Sequence, residues 1–317
     1  MKRWPSFRSR SQQRGTGLAE LLVAAAVAAL LLLIGMLMLV SANAAFTAQA
    51  DGAAIDEGGR FALDVVARAT RQAAYVDHEG GSMPSAADSA NTPLQVFGRD
   101  AQSLPRATHA IDGATSDAVN GSDILALRFN GAHGGAVDCA GFTVDAGQDG
   151  WSIFHVGRNA DGDGELRCKY QGGAGWSSDA IIDGVDTFQV LYGVDTDSPP
   201  DGVPNEFVSA SVIEQRDGAM AASGADDDEK QRDLQRRSYW KRVAAVRVAL
   251  LLHGPGPGAE RAGLVYDLFG ADYSDRFAGD DSGVRIDEAP MGLPLRMRER
   301  RLFASTILLR NPAAGAP

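Results

Sequence analysis

Glu20 is followed by twenty residues, Leu21 to Val40, that carry neither a charge nor a strongly polar group. At about 1.5 Å of rise per residue, a helix of that length spans roughly the 30 Å hydrocarbon core of a bilayer. The segment reads as a membrane helix. Glu20 at its amino end is its unusual feature, because an ionisable group at the edge of an apolar span is costly without a partner and so reads first as functional.

The residues before the span carry Lys2, Arg3, Arg8, Arg10 and Arg14 and no acid. By the positive-inside rule this end stays in the cytoplasm and the rest of the chain is exported. An ordinary secretory signal is cut after its apolar region, at a small-residue site. Here the well-placed small residue, Gly15, comes before that region, with Glu20 five residues beyond it. This arrangement resembles the class III signal of type IV prepilins. The resemblance implies that a prepilin peptidase cuts between Gly15 and Thr16, that Thr16 becomes an N-methylated amino terminus, and that Glu20 stands at mature position five. The chain departs from the family at Thr16, where Phe is usual, and at Gly17, where Thr or Ser is common. The alternative is a plain signal anchor in which Glu20 snorkels to the interface.

Beyond the membrane segment, Phe46, Ile55, Phe61, Val65 and Ala69 recur at helical spacing. They predict that the helix continues to about residue 76 and lays this face on a globular domain, with Gly58 and Gly59 marking a bend. Residues 77–120 read as a surface loop containing one short strand, Leu94 to Phe97. Strands are then expected at Ile124 to Phe129, Phe142 to Val144, Ser152 to Val156, Glu165 to Tyr170, Phe188 to Val194, Val243 to Leu252 and Leu302 to Leu309, several of them alternating apolar with polar residues. Gly254 to Gly258 reads as a turn or linker. In order along the chain, the segments EGGRFALDVVARATRQAAY (from Glu57), GSDILALRF (from Gly121), ELRCKY (from Glu165), IIDGVDTFQVLYGVDTD (from Ile181), WKRVAAVRVALLL (from Trp240) and RLFASTILLRNPA (from Arg301) resemble PilW-type minor pilins.

The fold expected is therefore α+β and pilin-like, with one long amino-terminal helix packed on an antiparallel sheet. Its divisions are a leader at 1–15, a transmembrane and assembly half at 16–40, an amphipathic half at 41–76, and a β-rich domain at 77–317 with an insertion near 214–238. The resemblance implies a structural role in priming a type IV pilus, at its tip. The implied partners are other minor pilins, the major pilin, the prepilin peptidase and the inner-membrane assembly platform. The implied location is a single-pass inner-membrane protein with its domain facing the periplasm, and later the fibre. Two alternatives stand beside this: a type II secretion pseudopilin, and an adhesin at the fibre tip.

Charge and cysteine usage narrow the chemistry. The formal charge of −11 becomes −16 once the five leader cations are removed, and an acidic surface disfavours nucleic-acid binding through general electrostatics. Cys139 and Cys168 lie in the exported part, where thiols oxidise, and are expected to pair. Such a bridge closes a loop of about 30 residues, for which the chain-entropy estimate is roughly 3 to 4 kcal/mol.

No cofactor is expected, calcium being the one ion that two acidic loops could take. Asn159, Asp161 and Asp163 open a loop like an EF-hand, but Tyr170 stands where the closing Glu belongs, so the segment reads as a turn between strands. Asp195, Asp197, Asp201 and Glu206 have better spacing, with Pro200 where the tight loop needs Gly. The run from Ala221 to Arg237, acids followed by bases, reads as a solvated loop or a partner-binding arm. The five histidines (His78, His109, His133, His155, His253) form no ligand or catalytic spacing, and no enzyme activity is expected.

Overall fold

The computed structural model describes residues 17–73, 93–257 and 263–309. The chain divides into two compact units, one running to Ala50 and the other from Asp51 onward. A single helix, α1 (Leu18–Gln72), contributes to both. It contains no proline, and its amino half is built from Ala, Leu and Val, which propagate helix well when the side chains face an apolar medium.

In the second unit α1 buries Gly52, Ile55, Gly59, Ala62, Val66, Ala67, Ala69 and Thr70, and Ala73 just after it is buried too. From Gly52 to Ala69 the seam advances by steps of three and four, which keeps it in a stripe on one face of the helix, and Ala67 and Thr70 widen that face toward its end. The stripe is made mostly of small residues, so the helix backbone comes close to what it covers. The bulky residues fall elsewhere: Phe46 is 69% exposed and Phe61 50% exposed. Of the face expected from sequence, Ile55 and Ala69 are buried and Val65 is partly so, whereas Phe46 and Phe61 point outward. Hydrophobic size misled because closeness, not bulk, selects this seam.

The glycine pair is likewise not a bend, since α1 runs through it unbroken. Gly59 lies under the ring of Phe303, and a β-carbon there would overlap the ring; Gly58 faces open space. Adjacent glycines should therefore respond oppositely to alanine. Gly59→Ala is expected to destabilise the domain by about 2 kcal/mol through overpacking, and Gly58→Ala to stabilise it by about 0.5 to 1 kcal/mol by relieving glycine's entropy cost in a helix. Denaturant midpoints of the two variants check the sign of each.

The strands follow in chain order: β1 (Val96–Arg99), β2 (Ile124–Asn130), β3 (Ala136–Val137), β4 (Thr143–Val144), β5 (Asp149–Arg158), β6 (Gly164–Gly172), β7 (Gly175–Asp183), β8 (Val185–Val194) and β9 (Glu206–Val208). Next come α2 (Ala210–Gly218), α3 (Asp227–Arg237), β10 (Val243–Pro257), β11 (Val265–Asp267), α4 (Ala271–Phe277), β12 (Arg285–Asp287), α5 (Leu293–Arg296) and β13 (Arg298–Leu308). All the pairings are antiparallel. The two large sheets have the orders β1-β2-β5-β6-β7 and β13-β10-β8-β9, and β3-β4 and β11-β12 form two-stranded sheets of their own. The α+β class and the antiparallel sheet expected from sequence are both present.

One core joins the seam of α1 to the facing sides of both sheets, through Leu125, Leu127, Phe154 and Leu166 on one and Phe188, Val190, Tyr192, Val246, Val248 and Leu250 on the other. Although its sequence alternates apolar with polar residues, all ten residues of β8 are buried. The explanation is a cover formed by the chain from β11 to α5, in which Leu268, Ile286, Tyr266, Phe269 and Met291 pack on Ala249 and Leu251 of β10.

Two further expectations are revised. Gly254 to Pro257 are not a turn but the end of β10, with Pro257 opposite Arg298 after a bulge; the remainder of that motif lies outside the described residues. The acidic insertion contains a helix, α3, capped by Asp226, whose side chain accepts from the Glu229 amide at 2.7 Å. Buried Asp233 holds the end of that helix by pairing with Arg236 and Arg237 and by accepting from the Ser223 amide. Local ion pairs thus order a segment that has almost nothing apolar to bury.

Candidate assembly surface

The amino-terminal unit has no cover of its own. Leu21, Leu22, Val23, Leu30, Leu31, Leu32, Met36, Leu37, Met38 and Leu39 are all exposed along α1, and α1 is the one helix among the described residues long and apolar enough to cross a membrane. Its first turn is closed by Glu20. The Glu20 amide donates to the Gly17 carbonyl at 2.9 Å, while the Glu20 side chain accepts from the Gly17 amide at 3.3 Å. This is one half of a capping box, with glycine in the cap position. The carboxylate also sits at the positive end of the helix dipole. Gly15 and Thr16 lie outside the described residues.

Cys139 and Cys168 are joined in a disulfide with Cα atoms 5.9 Å apart. Cys168 is in the middle of β6 and Cys139 follows β3, so the bridge fastens the β3–β4 hairpin to the five-stranded sheet. Asp138, next to the bridge, accepts from the Ala140 and Phe142 amides and shapes the hairpin's turn.

The two acidic loops differ. Asn159 accepts from the amides of Asp161 and Asp163, both at 3.0 Å, which makes this segment the turn between β5 and β6, as its sequence suggested. Asp163 pairs with Arg298 at 2.9 Å. In the second loop, carboxylate oxygens of Asp195, Asp197 and Asp201 converge to within 4.8 Å of one another. They are already engaged: Asp195 accepts from the Asp197 and Gly202 amides, Asp201 from the Val203 amide, and Asp197 from the Asn205 side chain. Glu206, expected to complete the set, instead forms a two-pronged ion pair with Arg216. Its register opposite Val194 on β9 turns it away from the loop.

Sequence reasoning missed a buried charge network. Arg300, on β13, is 6% exposed and pairs with Asp186 at 2.7 Å and with Glu288 at 3.0 Å. His253 Nδ1 lies 3.1 Å from the other oxygen of Asp186, and Arg298 reaches His253 Nε2 at 2.5 Å. The network ties β8, β10 and β13 to the cover layer through Glu288, which also accepts from the Leu264 amide at 3.0 Å. The available signal was the pair Arg298 and Arg300, two residues apart and so facing the same way on a strand otherwise rich in apolar residues.

The described histidines do not assemble a catalytic site. His155 lies 3.1 Å from Ser178, but both side chains are buried on the outer face of the five-stranded sheet, out of reach of a substrate. Burial first, and then Arg167 and Lys169, push the His155 imidazole down to about 3, so it is neutral at ordinary pH. His109 is surface-exposed beside Trp176, with ring centroids 5.2 Å apart.

The family model for type IV pilus-assembly protein W matches residues 153–311. That span holds every strand of the four-stranded sheet, the cover layer, and β6, β7 and most of β5 from the other sheet. Neither a curated protein nor a solved structure matches the chain. The family is one of pilus assembly rather than of enzymes, and it accounts for the carboxyl-terminal half, the part that holds the α1 seam in place. An exposed apolar helix closed by a single carboxylate, carried on this two-sheet domain, is the architecture of a chain that belongs to the type IV pilus-assembly protein W (PilW) family.

Proposed function

We propose that the chain is a minor pilin that helps to prime type IV pilus assembly at the fibre tip and polymerises through the apolar half of α1. The observation that carries this reading is the uncovered helix headed by Glu20 in a PilW-family chain. Before assembly the helix spans the inner membrane, with the leader in the cytoplasm and the domain in the periplasm. In the fibre the same surface packs among the helices of other minor pilins and the major pilin, and protein replaces lipid around it. The inner-membrane assembly platform performs that transfer, and the prepilin peptidase prepares the chain for it.

Processing tests this reading directly. Mass spectrometry of the amino terminus is expected to find N-methylated Thr16, and Gly15→Val, which places a branched side chain at the cut, is expected to leave the leader attached. A mature chain that begins after Val40, or a Gly15→Val protein that still begins at Thr16, overturns the assignment.

A further inference from the structure

The cover layer touches β8 at the turn between α4 and β12. Gly283 in this turn has φ +92° and presses so closely on Gln189 and the carbonyls of Asn120 and Gly121 that a β-carbon would overlap them. Just before it, Asp281 is 4% exposed. One of its oxygens accepts from the Tyr273 hydroxyl at 2.8 Å, and the other has no hydrogen-bond partner. The groups facing Asp281 are Tyr273 from α4, Asp100 from the segment after β1, and Asp123 from the start of β2. The two acids are already committed. Asp100 accepts from the Ala210 and Ser211 amides at the start of α2, and Asp123 accepts from the Ala101 and Val190 amides.

Asp281 alone is thus buried with an unsatisfied oxygen beside other carboxylates. A buried unpaired charge is far costlier than a buried neutral carboxyl. We propose that Asp281 is a proton-dependent clasp: protonated, it holds the cover layer against β8 and β10, and ionised, it loosens that layer locally while the sheets stay intact.

Burial first, and then the Asp100 charge, raise the Asp281 carboxyl to about 7, with the Tyr273 hydroxyl acting in the opposite direction. A carboxyl raised in the closed form binds its proton more tightly closed than open. Closure is therefore most favoured at acid pH and loses that advantage as pH rises through the folded value. Between the ordinary carboxylate range and about 7, opening becomes about tenfold more frequent per pH unit, and it levels off above that. Asp123 is also raised by its burial, but it joins β2 to β8, so its titration is felt in the strands rather than in the cover.

Hydrogen exchange of the full chain in detergent micelles, corrected for intrinsic rates and followed from pH 5 to 8, tests the clasp. Protection across residues 264–287 is expected to fall about tenfold per unit up to roughly pH 6.5 and to level off above 7, while β5 and β6 stay constant. Asp281→Asn is expected to remove the dependence. Tyr273→Phe, which removes the one donor to the ionised form, is expected to shift the plateau to higher pH. Protection of 264–287 that is flat in the wild type, that falls in step with β5 and β6, or that keeps its slope in Asp281→Asn overturns the proposal. If Asp281→Asn does not fold, the wild-type profile and the direction of the Tyr273→Phe shift decide it.

Discussion

Glu20→Ala is expected to leave the chain cleaved and inserted in the membrane but to reduce its recovery with other pilins by tenfold or more, and pilus number with it. On the processing proposed above, the new amine of Thr16 is a cation four residues before Glu20 in the sequence, at the edge of an apolar phase. Each charge left unpaired in such a setting costs several kcal/mol, and a matched pair offsets much of that. Because about 1.4 kcal/mol is already a factor of ten in an equilibrium, even partial pairing across subunits is expected to dominate incorporation under the proposed role. The Gly17 contact makes the test sharper. Glu20→Gln retains an oxygen that can accept from the Gly17 amide, so it preserves the cap while removing the charge. Co-purification from detergent extracts and fibre counts should be low for both variants. Recovery in Glu20→Gln would mean that the residue serves helix capping, and unchanged assembly in both would place the assembly determinants in the globular domain.

Arg300→Met should be the most damaging single change in the domain, with a loss of about 3 to 5 kcal/mol, the usual cost of removing one partner from a buried ion pair. The Arg300 side chain is 1% exposed, and its partners Asp186 and Glu288 are 10% and 4% exposed. Removing the guanidinium strands two buried carboxylates on opposite sides of the β13 position. For a domain of this size the shift in Tm is on the order of 10 °C. Adding Asp186→Asn and Glu288→Gln to Arg300→Met should recover half or more of the loss, because neutral amides are cheaper to bury than unpaired charges. Chemical unfolding with an unchanged m-value checks both steps. A loss below about 1 kcal/mol for the single variant would mean that water reaches the network and screens it.

The parts of this fold that could be read from the sequence are those in which side-chain type alone dictates the element. The apolar run after Glu20, the β-branched and aromatic stretches that became β2, β5, β6, β8, β10 and β13, and the cysteine pair all fall in this group. The α1 seam did not, because a stripe of Gly and Ala carries little hydrophobic signal and the eye goes to Phe46 and Phe61 instead. β7 was missed since GWSSDAIID lies at a sheet edge with most of its residues partly exposed. The cover layer and α2 depend on partners distant in sequence: Asp100 caps a helix 110 residues away, and Ser209, the local candidate, makes no capping bond. The acidic loop after β8 was half legible. Its aspartates do converge, but Glu206 is claimed by Arg216, a residue that no spacing rule would connect to it.

The α1 seam also sets an order of events in the making of the protein. Gly59 needs Phe303, and Asp56 pairs with Arg301 across 245 positions of chain. At synthesis rates of about 5 to 20 residues per second, the helix waits roughly 12 to 50 seconds for the strand that seals it. During that interval the part of the stripe around Asp56 and Gly59 lacks its native cover. Closure of the seam at Asp56 and Gly59 is thus expected to be timed by the arrival of β13.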